Sequence, residues 1–231
     1  MANMQKYSRM QDIGHLCKHY ERSVASGHYS NEEIDESKIK DDYNLAPERG
    51  KQTDYIKQKI DEICEGKTLR KDAVKMCTWV INYPSSLPPE GSQKFFEEAY
   101  NFLVDRYGSR SGLGEDVVIS AYVHTSETTD HMHFAFLPVV QRTSGKAFCA
   151  KEVVGKKELQ SFHEDFSIYM SERNICKKSD ILNGNTKRDS RGRVLSVREL
   201  KKQTRERERA REQESRWNRN LDTEERKLDR W

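Results

Sequence analysis

The stretch His124-Thr-Ser-Glu127-Thr-Thr-Asp-His131-Met-His133 lies between two segments with the composition of strands. Residues 117–123 and 134–137 are rich in β-branched and aromatic side chains, which predicts two strands joined by a short turn. The last two histidines are two residues apart, so their side chains leave the same face of their strand. A hairpin would bring the first histidine back beside them. The stretch therefore predicts three imidazoles that converge at one end of an antiparallel strand pair.

Three neutral imidazoles suit a catalytic divalent metal, because such an ion keeps open positions for water or substrate oxygen. We predict a metal site at His124, His131 and His133, with Glu127 as the nearby candidate for a fourth ligand. Imidazole is a common ligand of zinc, copper, iron and nickel, and manganese also fits when phosphate oxygens complete the shell. The alternative is that these histidines are packed or surface residues. Three of the chain's 7 histidines within one short stretch argue against that alternative.

Composition bounds the class of protein. The chain has 231 residues, of which 34% are hydrophobic and 34% are charged, so we expect one core with an appendage or two small domains. Its 5 cysteines are scattered without a CxxC pair, which predicts reduced thiols and a cytoplasmic location. No apolar run approaches the ~20 residues of a membrane span, and the first residues lack the apolar core of a signal peptide.

Charge is distributed unevenly along the chain. Residues 187–231 contain 16 Lys and Arg against 10 Asp and Glu, a balance of +6, whereas the other residues contain 25 against 28, a balance of −3. Non-specific attraction to DNA phosphates would therefore concentrate in the C-terminal part. A catalytic domain that binds DNA would depend on local basic clusters.

Apolar periodicity and capping residues predict the remaining elements. Helices are expected to begin at Ser30, to run from Thr53 to Gly66 and from Ser92 to Gly108, and to span residues 156–173. A strand is expected over Val74–Tyr83, and residues 147–149 are expected to continue the sheet after a turn at 141–145. Because the central hairpin is antiparallel and strands alternate irregularly with helices, we expect an α+β fold with helices packed on a mainly antiparallel sheet.

The C-terminal part has a different organisation. We predict a catalytic domain at residues 1–182, a linker at 183–195 and an extended charged helix at 196–231. The second half of that helix begins to resemble a coiled coil, which would allow a homodimer, and a solvated charged helix is the alternative. The pattern breaks off at Trp231, so we expect the sequence to be a piece of a longer protein.

Four motifs, taken in order, resemble the MobV (Pre/Mob) family of plasmid mobilisation relaxases, which belong to the histidine-hydrophobic-histidine endonucleases. They are Lys18-His19-Tyr20-Glu21-Arg22, Tyr43-Asn44-Leu45, Leu69-Arg70-Lys71-Asp72-Ala73-Val74 and the histidine stretch. The resemblance covers roughly residues 1–180. It implies a five-stranded antiparallel sheet flanked by helices. It also implies an enzyme that nicks one DNA strand at a plasmid transfer origin and stays covalently attached to the 5′ end.

The resemblance assigns the nucleophile to His19. A neutral imidazole would attack the scissile phosphorus, form a phosphoramidate and release a 3′ hydroxyl. Tyrosine serves this purpose in most related relaxases, so Tyr7, Tyr20 and Tyr43 are rivals for the role. By residue type alone, His19 would more often be a surface histidine.

The other site residues follow from the same motifs. Glu127 would be a general base or a support of the metal site, and Tyr43 would stack or form a hydrogen bond near the nucleophile. Four cations would contact DNA or offset developing charge. These are Lys18, Arg22, Arg70 and Lys71. Each residue also has a plainer interpretation, as a turn carboxylate, a packed ring or a solvated cation.

Two positions depart from the family pattern. Ser126 stands where the family usually has aspartate, and Asp130 stands where it usually has proline. Losing the aspartate would remove a partner that orients an imidazole, so we expect an effect on activity more than on metal binding.

The resemblance thus predicts a metal-dependent relaxase that acts on single-stranded and double-stranded origin DNA. Mn²⁺ or Mg²⁺ is the expected cofactor, and Zn²⁺ or Ni²⁺ would also bind. One alternative is a metal-dependent phosphohydrolase that uses a metal-bound hydroxide and forms no covalent intermediate. Another is a non-catalytic module for DNA binding and dimerisation.

Overall fold

The structure is a computed structural model that describes residues 2–23, 34–65 and 67–182, together with Arg205, Glu206 and Arg209, which are helical. The chain divides into a compact unit, Met1–Leu182, and a second unit, Asn183–Trp231. The helix predicted to begin at Ser30, the predicted linker and the coiled-coil half of the C-terminal helix lie outside the described residues. Among the described helices, none has the length and apolar character needed to cross a bilayer.

Five strands form one sheet in the order β1-β3-β5-β4-β2. They are β1 (Ala2–Tyr7), β2 (Tyr43–Asn44), β3 (Met76–Asn82), β4 (Val118–His124) and β5 (His131–Phe136). Every neighbouring pair is antiparallel. β4 and β5 form the predicted hairpin, in which His124 is opposite His131 and Tyr122 is opposite His133. The predicted α+β fold with a five-stranded antiparallel sheet and flanking helices is confirmed.

The chain leaves this sheet after β5. Strands β6 (Val139–Arg142) and β7 (Gly145–Phe148) pair with each other in a separate two-stranded sheet. The prediction that residues 147–149 continue the main sheet is therefore wrong. Pro138 precedes β6 and has no backbone N–H to donate to a ladder, which explains why pairing is interrupted at this point.

Helices cover both faces of the main sheet. The face that carries the histidines packs against α1 (Met10–Tyr20), whose Tyr20 stacks on His133. It also packs against α2 (Gln52–Cys64). The other face packs against α3 (Ser92–Ser111) and α5 (Lys156–Glu172). Two short α-helices, α4 (Ala150–Val153) and α6 (Lys178–Ile181), and three 3₁₀-helices complete the described elements. The 3₁₀-helices are Glu36–Asp41, Pro89–Gly91 and Gly114–Val117.

Helix α3 does not end at Gly108 as predicted. It continues to Ser111 and ends at Gly112, which adopts the left-handed conformation that favours glycine (φ 64°). Gly108 instead allows the chain at Gly114 to approach α3 closely, because a Cβ atom at residue 108 would lie 2.6 Å from the carbonyl oxygen of Gly114. Helix α2 ends at Cys64, close to the predicted stop. Helix α5 matches its prediction within one residue, although Leu159 of its predicted apolar stripe is 38% exposed.

The face covered by α3 and α5 contains most of the aromatic core. Trp79 of β3 stacks on Phe162 of α5, with ring centroids 3.7 Å apart, and donates a hydrogen bond to the Tyr107 hydroxyl at 2.7 Å. The buried Glu158 carboxylate accepts from Arg106 at 2.6 Å and from Tyr107 at 3.1 Å. These paired groups and stacked rings hold α3 and α5 on β3, which pairs with the strand that carries His131 and His133.

Candidate active site

The three histidines of the β4–β5 hairpin converge as the alternation of strand side chains predicts. The ring centroids of His124 and His131 are 5.3 Å apart, those of His124 and His133 4.8 Å, and those of His131 and His133 4.7 Å. The Nε2 atoms of His131 and His133 are 3.0 Å apart. Two nitrogens that each bind one ion at about 2.1 Å lie roughly 3.0–3.4 Å apart, so this spacing fits shared coordination.

In two of the imidazole rings, one nitrogen is hydrogen-bonded to a backbone carbonyl, which leaves the other nitrogen free to bind a metal. Nε2 of His124 is 3.0 Å from the carbonyl oxygen of Tyr20, and Nδ1 of His131 is 2.9 Å from that of Thr129. A carbonyl can only accept, so these nitrogens carry hydrogens and the opposite nitrogens carry lone pairs. Within the described part of the chain, Nδ1 of His124 and Nδ1 of His133 are buried without a hydrogen-bond partner.

Helix α1 brings His19 to the hairpin. The ring centroid of His19 is 5.5 Å from that of His124 and 5.4 Å from that of His133. The adjacent Tyr20 is 2% exposed and stacks on His133 with centroids 4.4 Å apart, and its carbonyl contacts His124. Burial of Ile13, Cys17 and Tyr20 along one side of α1 fixes the orientation of the helix end.

Three imidazoles of this cluster, those of His19, His124 and His133, have a lowered pKa, which favours the neutral form. Burial, assisted by the Arg22 charge, lowers the pKa of His19. Burial also lowers the pKa of His124 to about 4, although its hydrogen bond to Tyr20 opposes this, and lowers the pKa of His133 well below its usual value. A neutral imidazole has the lone pair that a metal ligand or a nucleophile requires.

The side chains can be grouped into two sets of metal ligands. Donor atoms of His124, Glu127 and His131 lie within 4.8 Å of one another, and so do those of His19, His124 and His133. His124 belongs to both sets. Neither set contains all three predicted ligands, but imidazole and carboxylate donors and the unpartnered Nδ1 of His124 fit a divalent ion bound by His124, with His131 and Glu127 or with His19 and His133.

A buried ionic network borders the histidines on the side of the β4–β5 turn. Arg22 is 8% exposed and donates to Asp42 Oδ2 at 3.0 Å and to Glu127 Oε1 at 2.7 Å. Burial raises the pKa of Glu127, but the hydrogen bond and charge of Arg22 outweigh that effect, so the pKa is lowered overall. An ionised carboxylate of low pKa is a weak proton acceptor, which favours support of the metal site over the role of general base.

Asp42 is a site residue that the sequence did not single out. Its carboxylate accepts hydrogen bonds from the backbone N–H groups of Thr125 at 2.7 Å and Ser126 at 3.0 Å, and from the Ser126 hydroxyl at 2.8 Å. No spacing rule connects Asp42 to a turn more than 80 residues away. Asp42 directly precedes the Tyr43-Asn44-Leu45 motif, which the resemblance placed in one family pattern with the histidine stretch, and that adjacency was the signal that could have found it.

Asp130, the second departure from the family pattern, anchors the other side of the turn. Its carboxylate accepts a hydrogen bond from the Ser92 hydroxyl at 2.7 Å, at the beginning of α3. Its backbone carbonyl accepts from Tyr83 N–H at 2.9 Å, just beyond β3. The aspartate therefore fixes the entry to β5 by side-chain and backbone contacts.

The three rival tyrosines are placed less favourably than His19. Burial raises the pKa of Tyr20, whose hydroxyl lies near Thr78 in the interior. Tyr7 pairs with Met76 at the start of β3, whereas His131 pairs with Asn82 at its end, roughly 20 Å further along the strand.

Tyr43 lies on the opposite face of the sheet from the histidines. It pairs with Val123, and cross-strand partners share a face, so its side chain points away from the face of His124. Burial, with the nearby charges of Glu97 of α3 and Asp130, raises its pKa to about 12. This position argues against the predicted stacking or hydrogen bond beside His19.

The predicted DNA-binding cations are divided between two regions. Lys18 is exposed next to His19. Arg70 and Lys71 precede the end of β3 that pairs near Phe136, away from the end that pairs with His131. Arg70 forms an exposed ion pair with Asp72 at 3.3 Å. Placement of Arg70 and Lys71 at the reacting phosphate is therefore not supported, and their contact with DNA stays a prediction.

A solved structure of the MobM relaxase domain (MOBV; Mob_Pre), Mn-bound and in complex with plasmid pMV158 oriT DNA, superposes with a TM-score of 0.70. The two chains are 28% identical, and the match covers 87% of this chain and 97% of that chain. The same domain bound to a 26-nucleotide oriT DNA matches with a TM-score of 0.60 and 25% identity, over 87% and 98% of the two chains.

Sequence relatives lead to the same family. A plasmid recombination enzyme of Bacillus thuringiensis is 32% identical over 75% of this chain and 37% of its own length. A type 3 enzyme of Mammaliicoccus lentus is 31% identical over 81% of this chain and 43% of its own length, so the chain spans less than half of these curated relatives. The family model described as "Plasmid recombination enzyme" (Mob_Pre) matches residues 1–202. The chain therefore belongs to the Mob/Pre family of plasmid recombination enzymes.

Proposed function

We propose that this chain is a relaxase domain that nicks one strand of plasmid transfer-origin DNA by transesterification and stays linked to the 5′ phosphate through His19. The observation that carries the proposal is the neutral His19 ring packed within 5.5 Å of the His124 and His133 rings. A nucleophile and a metal site must both reach one phosphate, and this arrangement provides such a place.

The proposed step needs only the groups named above and the DNA. A ring nitrogen of His19 forms a bond to the scissile phosphorus while the bond from phosphorus to the 3′ oxygen breaks. The imidazole loses its N–H proton to solvent, and the departing 3′ oxygen gains one, so charge and atoms balance. The phosphoramidate retains the energy of the broken ester, which lets a 3′ hydroxyl reverse the reaction and rejoin the strand.

A divalent metal belongs to this proposal. Nδ1 of His124, Nε2 of His131 and the ring of His133 would hold it, and Glu127 would support the site. When bound, such an ion would draw negative charge from the non-bridging phosphate oxygens. Mn²⁺ or Mg²⁺ is the proposed cofactor, because the Mn-bound MobM relaxase domain has a similar fold, and Zn²⁺ or Ni²⁺ would also fit imidazole donors.

The remaining parts of the proposal concern partners and organisation. Single-stranded and double-stranded origin DNA are the proposed substrates, with Lys18, Arg70 and Lys71 as DNA contacts. Residues 183–195 would link the domain to a charged helix at 196–231 that mediates a homodimer. A cytoplasmic location would give the protein access to plasmid DNA.

The test uses single-stranded oligonucleotides that tile the DNA flanking the gene, with the purified chain and Mn²⁺ or Mg²⁺. We expect one oligonucleotide to give a downstream fragment linked to the protein through its 5′ phosphate and an upstream fragment with a free 3′ hydroxyl, and chelation to abolish both. Denaturing gels before and after protease treatment identify the linked product. A hydrolase would give two free fragments, and a binding module would give neither.

His19→Ala should abolish the adduct while leaving DNA binding intact. His15→Ala is the matched control, since His15 is exposed one helical turn earlier on α1. A linked product from His19→Ala would reassign the nucleophile. Tyr20→Phe, Tyr7→Phe and Tyr43→Phe should each still form the adduct.

A further inference from the structure

The Asp42 carboxylate fixes the turn that follows β4. Oδ1 accepts from the N–H groups of Thr125 and Ser126, and Oδ2 accepts from the Ser126 hydroxyl and from Arg22 Nε. The side chain is 5% exposed. Charge-assisted hydrogen bonds in such a buried site are stronger and more directional than those at the surface.

The same network reaches the imidazole ligands through Arg22. Nη2 of Arg22 donates to Glu127 Oε1 at 2.7 Å. That oxygen is 3.9 Å from Nδ1 of His124, the buried nitrogen that lacks a hydrogen-bond partner among the described residues. Asp42 is thus connected to a candidate ligand atom by three successive contacts, through Arg22 and Glu127.

We propose that Asp42 is a positioning residue of the metal site. By holding Arg22 and the turn at 125–127, it keeps Glu127 and His124 in the arrangement that binds a divalent cation. The consequence for DNA nicking rests on the function proposed above, whereas the consequence for metal binding can be measured without DNA.

Ser126 is matched to this role. Its hydroxyl donates to Asp42 Oδ2 at 2.8 Å and accepts from Arg22 Nη2 at 3.2 Å, so one hydroxyl satisfies both neighbours. An aspartate at position 126 would place a second carboxylate against Asp42 with Arg22 as their shared cation. Two ionised carboxylates at that distance repel each other. A carboxylate should therefore be tolerated at position 42 or at position 126, but not at both.

The experiment measures Mn²⁺ affinity of the full chain by titration calorimetry, with thermal unfolding recorded in parallel. Asp42→Asn should lower the Mn²⁺ affinity by about 10-fold or more, the range typical of groups that orient metal ligands. Ser126→Asp should lower it as well, and Asp42→Asn combined with Ser126→Asp should recover most of the loss. Glu158→Gln is the matched control, because Glu158 is also a buried carboxylate held by arginine but lies on the α3–α5 face.

Glu158→Gln should lower the unfolding temperature and leave the Mn²⁺ affinity unchanged. Wild-type Mn²⁺ affinity in Asp42→Asn would overturn the proposal, whatever its unfolding temperature. If Asp42→Asn does not fold, Ser126→Asp decides, and wild-type Mn²⁺ affinity in that variant overturns the proposal. Mn²⁺ binding by the wild type without nicking of any tiled oligonucleotide would count against the proposed function alone.

Discussion

The two faces of the central sheet are built from the same strands but differ in whether their buried polar groups have hydrogen-bond partners. On the α3–α5 face, the Glu158 carboxylate is paired with Arg106 and Tyr107, among stacked rings such as Trp79 and Phe162. On the α1–α2 face, described buried side chains retain unpartnered atoms, including Nδ1 of His124 and Nδ1 of His133. Unpaired buried groups lower the free energy of unfolding. The contacts on the α3–α5 face therefore offset the cost of the unpaired groups on the α1–α2 face.

The alternation of side chains along β5 separates the two tasks. His131 and His133 point to the α1–α2 face, whereas the fully buried Met132 and Phe134 point to the other. Stability and metal binding should therefore respond to different substitutions in the same strands.

The largest effect is expected on the aromatic face. Phe162→Ala should lower the free energy of unfolding by about 3–5 kcal/mol, because it removes a ring stacked on Trp79 and leaves a cavity. Urea unfolding followed by fluorescence measures this loss. The Mn²⁺ affinity of the folded fraction should not change, and a parallel loss of affinity would show that the faces are coupled.

His133→Leu should have the opposite effect: a large loss of Mn²⁺ affinity with little change in the free energy of unfolding. Mn²⁺ affinity should fall by about 100-fold or more, since one of the three proposed imidazole ligands is lost. The metal-free protein should keep its free energy of unfolding or gain about 1 kcal/mol, because a buried nitrogen without a partner is removed. His163→Leu is the control, as His163 lies beside Trp79 on the other face and should leave Mn²⁺ binding unchanged.

A glycine at the end of α3 gives a smaller effect on stability. Gly108→Ala should lower the free energy of unfolding by about 1–3 kcal/mol, because the new Cβ atom would lie 2.6 Å from the Gly114 carbonyl oxygen. Thermal unfolding measures the change. An unchanged unfolding temperature would mean that the Gly112–Gly114 loop moves aside without cost.

The smallest effect is expected in α1, on the histidine face. Gly14→Ala should raise the free energy of unfolding by roughly 0.5–1 kcal/mol, because alanine is the better helix former and its Cβ atom would meet only Thr53 Cγ2 at 3.9 Å. Denaturant unfolding and Mn²⁺ titration should show higher stability with unchanged affinity. A lower affinity would indicate that the position of His19 depends on the flexibility of α1.

Local sequence patterns were sufficient for much of the fold and for part of the site. Alternation in β4 and β5 predicted that His131 and His133 share a face, and the turn predicted that His124 joins them. Side-chain periodicity also located α2, α3 and α5. Gly108 was misassigned as a helix stop because its tertiary contact with Gly114, which a helical pattern does not encode, determines its identity.

Contacts between distant segments could not be derived from local patterns. His19 precedes His124 by more than 100 residues, and only the family resemblance placed them in one site. Asp42 was not singled out, because its role depends on the register of β2 against β4. The same register explains why Tyr43, its neighbour, faces α3. For β6 and β7, composition indicated strands but not which sheet they would join.

The double role of Tyr20 limits how the start of this protein can change. Its carbonyl orients His124 and its ring lies on His133, while the preceding residue is His19. Each residue of an α-helix advances the chain by about 100° around the axis. Inserting one residue within α1 would therefore rotate His19 away from the histidines of the hairpin and also move the Tyr20 carbonyl away from His124. Chimeras that exchange the N-terminus among relatives should work only when the phase of this helix is preserved.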